Sequence, residues 1–432
     1  MISPEEACQK IYNLMPDRNI ESVSLLSCVE SCISENIIAQ EDVPSFCRSP
    51  YDGYAFNSEA TRNVTSTNPV EIDIIDTVPA GKNFEYFNNL EDADLNSPSK
   101  PKLNDRKKQD WKQTGMKVMT GGMIPDIYDA VLPWEQVGIK DKEQKILINK
   151  EIPSQHNIIP KGEDIKKGEL VIKEGEKLTP YHIGVLASLG FTHPRVYAPY
   201  KIGILVTGTE LVNPENDISP GKIRSSNNFS LGATLQCMGH EVLDFGIVGD
   251  SKKKLAEKIE EAVSKVDILL TTGGVSRGDY DFVPYVLEEM KAKRLFWRVK
   301  MKPGTPLHVS QYQGTPVISL SGNPAASMAS FHLLLAPALQ NNGKRQTATS
   351  LKERSHASFL AKDIKKKTSS LWRFVRGKAW IGNDGVFYST PIAKEKPNML
   401  KTMIWANGYI VVPPDSQAIR AGDKVNFIPI DK

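Results

Sequence analysis

The chain has 432 residues, which is enough for several domains, and its 54 basic residues nearly balance its 51 acidic ones. This balance excludes a protein that attracts nucleic acid through its overall charge. No stretch approaches the roughly 18 apolar residues that span a bilayer, and the start MISPEEACQK does not resemble a signal peptide. We therefore expect a cytoplasmic protein without membrane contact. Five cysteines without a CxxC pair and seven scattered histidines indicate neither a disulfide framework nor a zinc site.

The N-terminal third predicts one helix followed by a β-rich region. Ser3 and Glu6 have the spacing of a capping box, and Ala7, Ile11, Leu14 and Met15 form an apolar stripe after them. Between residues 70 and 139, runs rich in β-branched residues alternate with Pro and Gly, as in a compact β domain. Residues 88–113 are charged and nearly devoid of apolar side chains, so we predict a mobile surface loop there.

Residues 200–340 carry the clearest architectural signal. Four apolar runs, KIGILVTG, EVLDFGIVG, VDILLTTGG and TPVISLSGN, each contain a glycine at or near the carboxyl end and alternate with helical segments. This pattern is typical of a doubly wound parallel sheet that is buried on both faces. Strand-like pieces separated by Gly, Asn and Pro follow residue 345, which predicts a small all-β domain at the C-terminus.

Ligands of such sheets bind outside the carboxyl ends of the strands, so the residues that follow each run are candidates for function. Glycines there let the backbone approach a ligand, and the helix that follows each loop favours phosphate. The acids in the same loops suit a hard divalent cation that shares phosphate oxygens, so we predict a phosphate site with Mg²⁺. The residues of these four strand ends are Thr207, Gly208, Thr209 and Glu210; Gly249 and Asp250; Gly273, Gly274, Ser276, Gly278, Asp279 and Asp281; and Ser321, Gly322, Asn323 and Pro324.

Structural roles remain open for several of these candidates. Asp250 and Asp281 each precede a helical segment and are also good N-cap residues. The stretch RVKMKPGTP predicts a strand with Lys302 on one face, where the lysine could hold a phosphate or simply be solvated.

Two further candidates lie upstream of the sheet. Asp52 follows Pro50 and precedes Gly53, which also fits a purely structural turn. Thr120 precedes a double glycine, where its hydroxyl could donate to an oxyanion or the segment could be a hairpin turn.

Taken in order, these motifs resemble the molybdopterin molybdenumtransferases, the family that includes the E domain of gephyrin. The matching segments include SPYDGYAF, MTGGMIPDIYDAV, ILVTGTEL, GKIRSSNNFSLGATLQCMGHEV, GIVGD, TTGGVSRGDYDF, KMKPGTP, LSGNPAASMASF and ANGYIVVPP. The resemblance covers nearly the whole chain.

The resemblance implies a multidomain α/β fold whose central doubly wound parallel sheet is of the molybdopterin-binding type. It implies an elongated dimerisation segment made of 1–48 plus 150–198, a small β-rich domain at 49–149, an α/β domain at 199–342 and a C-terminal β-barrel at 343–432. It also implies a homodimer that works with a molybdopterin adenylyltransferase and with molybdoenzyme acceptors.

The implied activity is Mg²⁺-dependent cleavage of adenylyl-molybdopterin, with insertion of molybdate into the dithiolene and release of AMP. The implied catalytic residues are Asp52, Thr120, Glu210, Asp250 and Asp281, with Asp52 and Thr120 coming from the second subunit. The implied metal ligands are Glu210, Asp250, Asp279 and Asp281. The implied contacts to the pterin nucleotide are Thr207, Gly208, Ser226, Asn227, Gly273, Gly274, Val275, Ser276, Asp279, Lys302, Gly322, Asn323 and Pro324.

Some positions depart from the family pattern. Tyr51 stands where the family usually has methionine, Thr305 where it has the second lysine of KPGKP, and Ser321 where it has the proline of LPGNP. The departures leave open a tungstate-inserting paralogue or a weakened binding and scaffold protein that retains the pterin nucleotide. A similar sheet domain also occurs in competence-damage-inducible proteins, but the DGYA and MTGG segments and the β tail argue against that class.

Overall fold

The structure is a computed structural model that describes residues 1–81, 108–276, 278, 281–340, 350–365, 368–392 and 396–430. Asp279 and residues 88–107 of the predicted loop lie outside the described residues. The end of that loop is ordered, since Lys108–Gln113 form a 3₁₀ helix.

The described residues form eight α-helices and 24 strands. The helices are α1 (Pro4–Leu14), α2 (Pro180–Ser188), α3 (Asn227–Cys237), α4 (Lys252–Val263), α5 (Val283–Glu289), α6 (Pro324–Ser330), α7 (Ala336–Leu339) and α8 (Thr402–Trp405). The first twelve strands are β1 (Ile20–Ser22), β2 (Ile37–Ile38), β3 (Gly53–Phe56), β4 (Val70–Val78), β5 (Thr114–Val118), β6 (Ala130–Pro133), β7 (Gly138–Lys140), β8 (Lys145–Ile148), β9 (Leu170–Ile172), β10 (Arg195–Tyr197), β11 (Lys201–Thr207) and β12 (Leu211–Val212). The others are β13 (Ile223–Arg224), β14 (Glu241–Val248), β15 (Ile268–Thr272), β16 (Lys293–Trp297), β17 (Met301–Lys302), β18 (His308–Tyr312), β19 (Thr315–Leu320), β20 (His356–Leu360), β21 (Trp372–Ile381), β22 (Phe387–Pro391), β23 (Gly408–Val412) and β24 (Lys424–Pro429).

The chain divides into two compact units. Unit 1 comprises Met1–Ser34, Gly175–Thr179 and His193–Lys432, and unit 2 comprises Glu35–Glu174 and Pro180–Thr192. Distant stretches of sequence pair within each unit. In unit 1, β1 pairs with β10, and in unit 2, β2 pairs with β9.

Unit 1 contains the doubly wound sheet that the apolar runs predict. Its order is β14-β11-β15-β19-β18-β16, and the four predicted strands β14, β11, β15 and β19 are parallel. Helix α3 packs on one face of the sheet through Leu231 and Leu235, and helix α4 covers the other face through Leu255 and Ile259. The sequence did not predict β16 and β18, which extend the sheet with antiparallel pairs.

Helix α1 belongs to the same core. The predicted capping box is confirmed, since the Ser3 hydroxyl accepts from the Glu6 backbone N–H and the Glu6 carboxylate accepts from that of Ser3. The apolar stripe of the helix is inside, where Ala7 and Ile11 are fully buried.

The C-terminal part of unit 1 is a closed barrel. Strands β21, β22, β20, β24 and β23 pair in that order, and β23 returns to β21. Closure removes the sheet edges that would otherwise expose unpaired backbone groups. The prediction of a C-terminal β-barrel is confirmed.

Unit 2 contains the predicted β-rich region as a six-stranded sheet with the order β6-β3-β5-β4-β8-β7. One face buries Tyr54, Phe56 and Ile72, and the other buries Ala55 and Val118. The YDGYAF motif therefore supplies the second strand of this sheet as well as the turn before it.

Candidate active site

The four parallel strands of unit 1 end at one edge of the sheet. In the order β14-β11-β15-β19, the chain first steps from β11 to β14 and then crosses back to β15, so the switch point lies between β11 and β15. Thr207 and Gly273 lie at the two sides of this point. The geometry therefore brings the first and third predicted glycine loops together.

Gly273 is required by this close approach. Its φ is +89°, and a Cβ atom at this position would lie 2.3 Å from the carbonyl oxygen of Thr207. Gly322 of the fourth loop packs on the same glycine, because its Cβ position lies 3.3 Å from the Cα of Gly273. Three strand ends thus meet with their backbones close together, and the glycines let a ligand approach the backbone at this edge.

Asp250 is held by the neighbouring loop. The Thr209 hydroxyl donates to Oδ2 of Asp250 at 2.6 Å and accepts from the Asp250 backbone N–H at 3.0 Å. Helix α4 is capped by Ser251, so the N-cap alternative for Asp250 is wrong. Lys222 donates to the Thr209 carbonyl oxygen and brings a cation to the same loop.

Asp281 closes the third loop. Its Oδ2 accepts from the Gly278 backbone N–H at 2.6 Å, and its own N–H donates to the Gly278 carbonyl. The residue that caps α5 is Phe282, so the N-cap alternative is also wrong for Asp281.

Glu210 folds back over the end of β11. Its two carboxylate oxygens lie 2.7 and 2.8 Å from the point where a Cβ atom of residue 208 would stand. The side chain is exposed. A larger residue at position 208 would displace this carboxylate.

The start of α3 is joined to the fourth loop. The Asn227 amide donates to the Gly322 carbonyl at 3.0 Å. Ser226 is the N-cap residue, but its side chain makes no capping hydrogen bond. The first N–H groups of α3 therefore lack the side-chain acceptor that usually satisfies them.

Val275 and Ser276 follow the double glycine with opposite exposure. Val275 is buried, and its carbonyl accepts from the Trp297 indole N–H at 3.0 Å, whereas Ser276 is exposed. Sequence analysis missed Trp297, because a tryptophan at the end of an apolar strand carries no signal of contact with a distant loop. It also assigned no role to Lys222, although Lys222 lies in the GKIRSS motif.

Lys302 lies at the end of the short strand β17, which pairs with barrel strand β21. The predicted strand through RVKMKPGTP is wrong, because β16 ends at Trp297 and Arg298 has a φ of +74°. Lys302 is nevertheless exposed between the buried Met301 and the loop that contacts α6. Thr305, which stands where the family has a lysine, donates its hydroxyl to the Met301 carbonyl. The hydroxyl is therefore hydrogen-bonded within its own loop.

Asp52 and Thr120 lie together in unit 2. The backbone N–H and the hydroxyl of Thr120 both donate to Oδ1 of Asp52, at 2.6 and 2.7 Å. These two bonds, together with the positive charge of Lys117, hold the pKa of Asp52 below its usual value. The hairpin alternative for Thr120 is wrong, because β3 lies between β5 and β6.

Within the described residues, no three His, Cys, Asp or Glu side chains are gathered closely enough to hold a metal ion. No described helix combines the length and the apolar character needed to cross a membrane.

The fold and the converging loops define a multidomain protein whose α/β domain has the switch-point geometry of ligand-binding sheets. Three domain families match it along the chain: the MoeA N-terminal region (domain I and II) at residues 2–190, the probable molybdopterin binding domain at 203–341, and the MoeA C-terminal region (domain IV) at 360–430.

Curated relatives cover the whole chain. The molybdopterin molybdenumtransferase of Bacillus subtilis is 30% identical over 431 residues, which are 99% of this chain and 94% of that protein. The enzyme of the same name from Staphylococcus epidermidis is 30% identical over 427 residues and covers 99% and 95% of the two chains. The chain belongs to the molybdopterin molybdenumtransferase family, as its motifs predicted.

Solved structures agree with this assignment. A crystal structure of the molybdopterin biosynthesis MoeA protein from Pyrococcus horikoshii has a TM-score of 0.81 and 26% identity over 100% of both chains. A second structure of that protein has a TM-score of 0.75 over 99% of both chains. The predicted fold class is confirmed.

Proposed function

We propose that this chain cleaves adenylyl-molybdopterin and inserts molybdate into its dithiolene, with release of AMP, and that the reaction requires Mg²⁺. The observation that carries the proposal is the switch point between β11 and β15, where Gly273 and Gly322 bring the backbones together. The loops at this edge also carry Asp250, which is bonded to Thr209, and Asp281, which is bonded to Gly278. A phosphate-bearing ligand fits this edge because backbone N–H groups and helix starts favour anions.

The pterin nucleotide would lie along the glycine loops. The uncapped start of α3 at Ser226 offers N–H donors to phosphate, and Asn227 fixes the neighbouring Gly322 loop. Lys302 would add a cation to the same substrate. The other contacts that we propose are Thr207, Gly208, Gly274, Val275, Ser276, Asp279, Asn323 and Pro324.

The donors present fit Mg²⁺. This ion is usually held by one or two carboxylates together with substrate phosphate oxygens and water, so a closed cluster of three acids is not needed. Oδ2 of Asp250 accepts from Thr209 of the neighbouring loop, and Oδ2 of Asp281 accepts from Gly278 of its own loop, whereas among the described residues Oδ1 of both stays without a hydrogen bond. We propose these two residues, with Glu210 and Asp279, as ligands, and the bound ion would offset the negative charge of the pyrophosphate.

The reaction balances with water as co-reactant. Water adds to one phosphorus of the pyrophosphate, and the bond between that same phosphorus and the bridging oxygen breaks. The other phosphate leaves with the bridging oxygen, so the products are AMP and the monophosphate of molybdopterin, and the protons of the water pass to the phosphates or to solvent. Molybdate then exchanges one oxygen for the two dithiolene sulfurs, and this oxygen leaves as water with the two thiol protons. The adenylyl bond must therefore have been formed beforehand by a molybdopterin adenylyltransferase, and the product must pass to a molybdoenzyme.

The test measures AMP release by purified protein with Mg²⁺, molybdate and adenylyl-molybdopterin. We expect Asp250→Asn to lower the rate at least about a hundredfold, because the charge that faces the pyrophosphate is lost. Glu257→Gln is the matched control, since Glu257 is an exposed acid on α4, the helix that follows Asp250. Failure of the wild-type protein to release AMP, or equal rates in the two variants, would refute the proposal. Replacement of molybdate by tungstate in the same assay identifies the preferred oxyanion.

We further propose that the protein acts as a homodimer, as its family resemblance implies, with Asp52 and Thr120 completing the site of the other subunit. The proposal includes the four regions that the resemblance implies, which are the dimerisation segment of 1–48 plus 150–198, the β-rich domain at 49–149, the α/β domain at 199–342 and the barrel at 343–432. It is supported by the assignment of Asp52 and Thr120 to unit 2, whereas Asp250 and Asp281 belong to unit 1.

A further inference from the structure

A cavity lies in unit 1 apart from the candidate active site, and none of its lining residues is a candidate for that site. Its volume is about 940 Å³, and its walls come from α3, the π-helical turn Phe331–Leu335, α8 and the end of β24. This volume is in the range of sites that bind small organic molecules.

The walls of the cavity are mostly apolar and adaptable. Met238, Met328 and Met403 line it, and methionine side chains adjust to ligands of different shape. Ile404 also lines it and is 69% exposed, so apolar surface is open at this point. An apolar ligand would remove that surface from water.

Two cations and no acid line this cavity among the described residues, and the cations are Arg354 and Lys401. Arg354 donates to the carbonyl oxygens of His332 and Leu333, at 3.4 and 2.6 Å, in the π-helical turn. These bonds fix its position but do not neutralise its charge.

Among the described residues, nothing compensates the charge of Arg354. No described carboxylate forms an ion pair with it, and burial lowers the pKa of its guanidinium. An unpaired cation beside apolar surface is costly, and an anion in the cavity would relieve that cost. Lys401 adds a second positive charge from an exposed position over the ring of Trp405.

We propose that this cavity is a second binding site, which takes an apolar organic anion with its charged group near Arg354 and Lys401. The charge of the lining selects the ligand class, since a neutral apolar molecule would leave both cations unmatched and a cation would be repelled. The site is independent of the proposed catalytic function.

Two fluorescent probes test this proposal with the full chain. The dye 1-anilinonaphthalene-8-sulfonate carries an anionic group, and N-phenyl-1-naphthylamine has the same rings without it. We expect saturable binding of the sulfonate at one site per chain, weaker binding of the neutral dye, and loss of sulfonate affinity with added NaCl.

Two variants locate the site. Ala233→Trp fills the cavity from its α3 wall and should abolish binding of both dyes. Lys401 is exposed, so Lys401→Glu should leave the fold intact. We expect the affinity for the sulfonate dye to fall about tenfold, because an attraction between charges becomes a repulsion, and the affinity for the neutral dye to stay the same. Lys253→Glu, an exposed position on α4, is the control and should change neither affinity.

Several results would overturn the proposal. Equal affinities for the two dyes, or equal effects of Lys401→Glu on both, would show that charge does not select the ligand. Unchanged binding in a folded Ala233→Trp variant would place the dye elsewhere. Absence of a saturable site would show that the cavity is closed in solution, for instance by a second copy of the chain. If circular dichroism shows that Ala233→Trp does not fold, the affinities of the two dyes for the wild-type protein and for Lys401→Glu still test whether charge selects the ligand.

Discussion

Thr120 places two hydrogen-bond donors on a single oxygen of Asp52, its backbone N–H and its hydroxyl. Both donors favour the ionised carboxylate, which is why the pKa of Asp52 is lowered. Oδ1 is thereby occupied within unit 2, and among the described residues no group donates to Oδ2. The threonine hydroxyl thus donates to the aspartate, whereas the sequence left open a role as donor to an oxyanion.

Thr120→Val removes the hydroxyl donor and keeps the backbone donor. We expect the pKa of Asp52 to rise, so that the acid limb of the pH–rate profile for AMP release moves to higher pH. Loss of a hydrogen bond to a charged group should also lower the rate about tenfold. Thr120→Ser restores the donor and should restore the profile. An unchanged acid limb in Thr120→Val would contradict a role for this bond.

Strand β3 depends on one glycine at its start. Gly53 pairs with Pro133 on one side and with Val118 on the other, and a Cβ atom there would lie 2.1 Å from the Leu132 carbonyl oxygen. The oxygen is part of the backbone and cannot move without breaking the pairing with β6. The glycine of the YDGYA motif is therefore required by the sheet, whatever the role of Asp52 beside it.

Gly53→Ala should destabilise unit 2 by at least about 2 kcal/mol, because the backbones of β3 and β6 must separate. Gly184→Ala is the matched control in the same unit, since nothing lies within 4 Å of its Cβ position on α2. Alanine is the better helix former, so this control should stabilise by up to about 1 kcal/mol. Urea unfolding of the two variants measures both effects, and equal stabilities would show that β3 and β6 tolerate a side chain there.

At the scale of the whole molecule, the candidate residues divide between two units. Asp52 and Thr120 lie in unit 2, while Glu210, Asp250 and Asp281 lie in unit 1. A site shared between subunits of a homodimer would let two chains with different defects complement each other. This gives a test that does not depend on a structure of the dimer.

Asp52→Ala and Asp250→Asn should each be inactive alone. Mixed by co-expression, they should recover about a quarter of the wild-type rate of AMP release, because half of the dimers are mixed and each has one intact site. Asp250→Asn mixed with Asp281→Asn is the control and should stay inactive, since both defects fall in the same site. If the first mixture also stays inactive, Asp52 serves the site of its own chain.

Much of the fold could be predicted from residue patterns. The four parallel strands, the capped helix α1 and an all-β C-terminal domain follow from periodicity and from Gly and Pro punctuation, which act over a few residues. The closure of that domain into a barrel was implied only by the family resemblance. The patterns failed where contacts between residues far apart in the sequence determine the local structure. The strand predicted from Arg298 to Lys302 is interrupted, because β16 pairs with β18 and ends at Trp297, Arg298 turns the chain away, and only Met301–Lys302 form the separate strand β17.

From the sequence alone, the four apolar runs with glycine at or near their ends predicted the doubly wound sheet, because local composition sets such runs, and the ordered motifs indicated the family through their resemblance to it. Only the tertiary structure decided the environment of each candidate. It directs Asp250 to Thr209 and Asp281 to Gly278, away from the helix starts that both could have capped. It also assembled a cavity from segments more than 100 residues apart, in which Arg354 forms no ion pair with any carboxylate that the structure describes. Such contacts arise from packing between remote parts of the chain, and no local pattern encodes them.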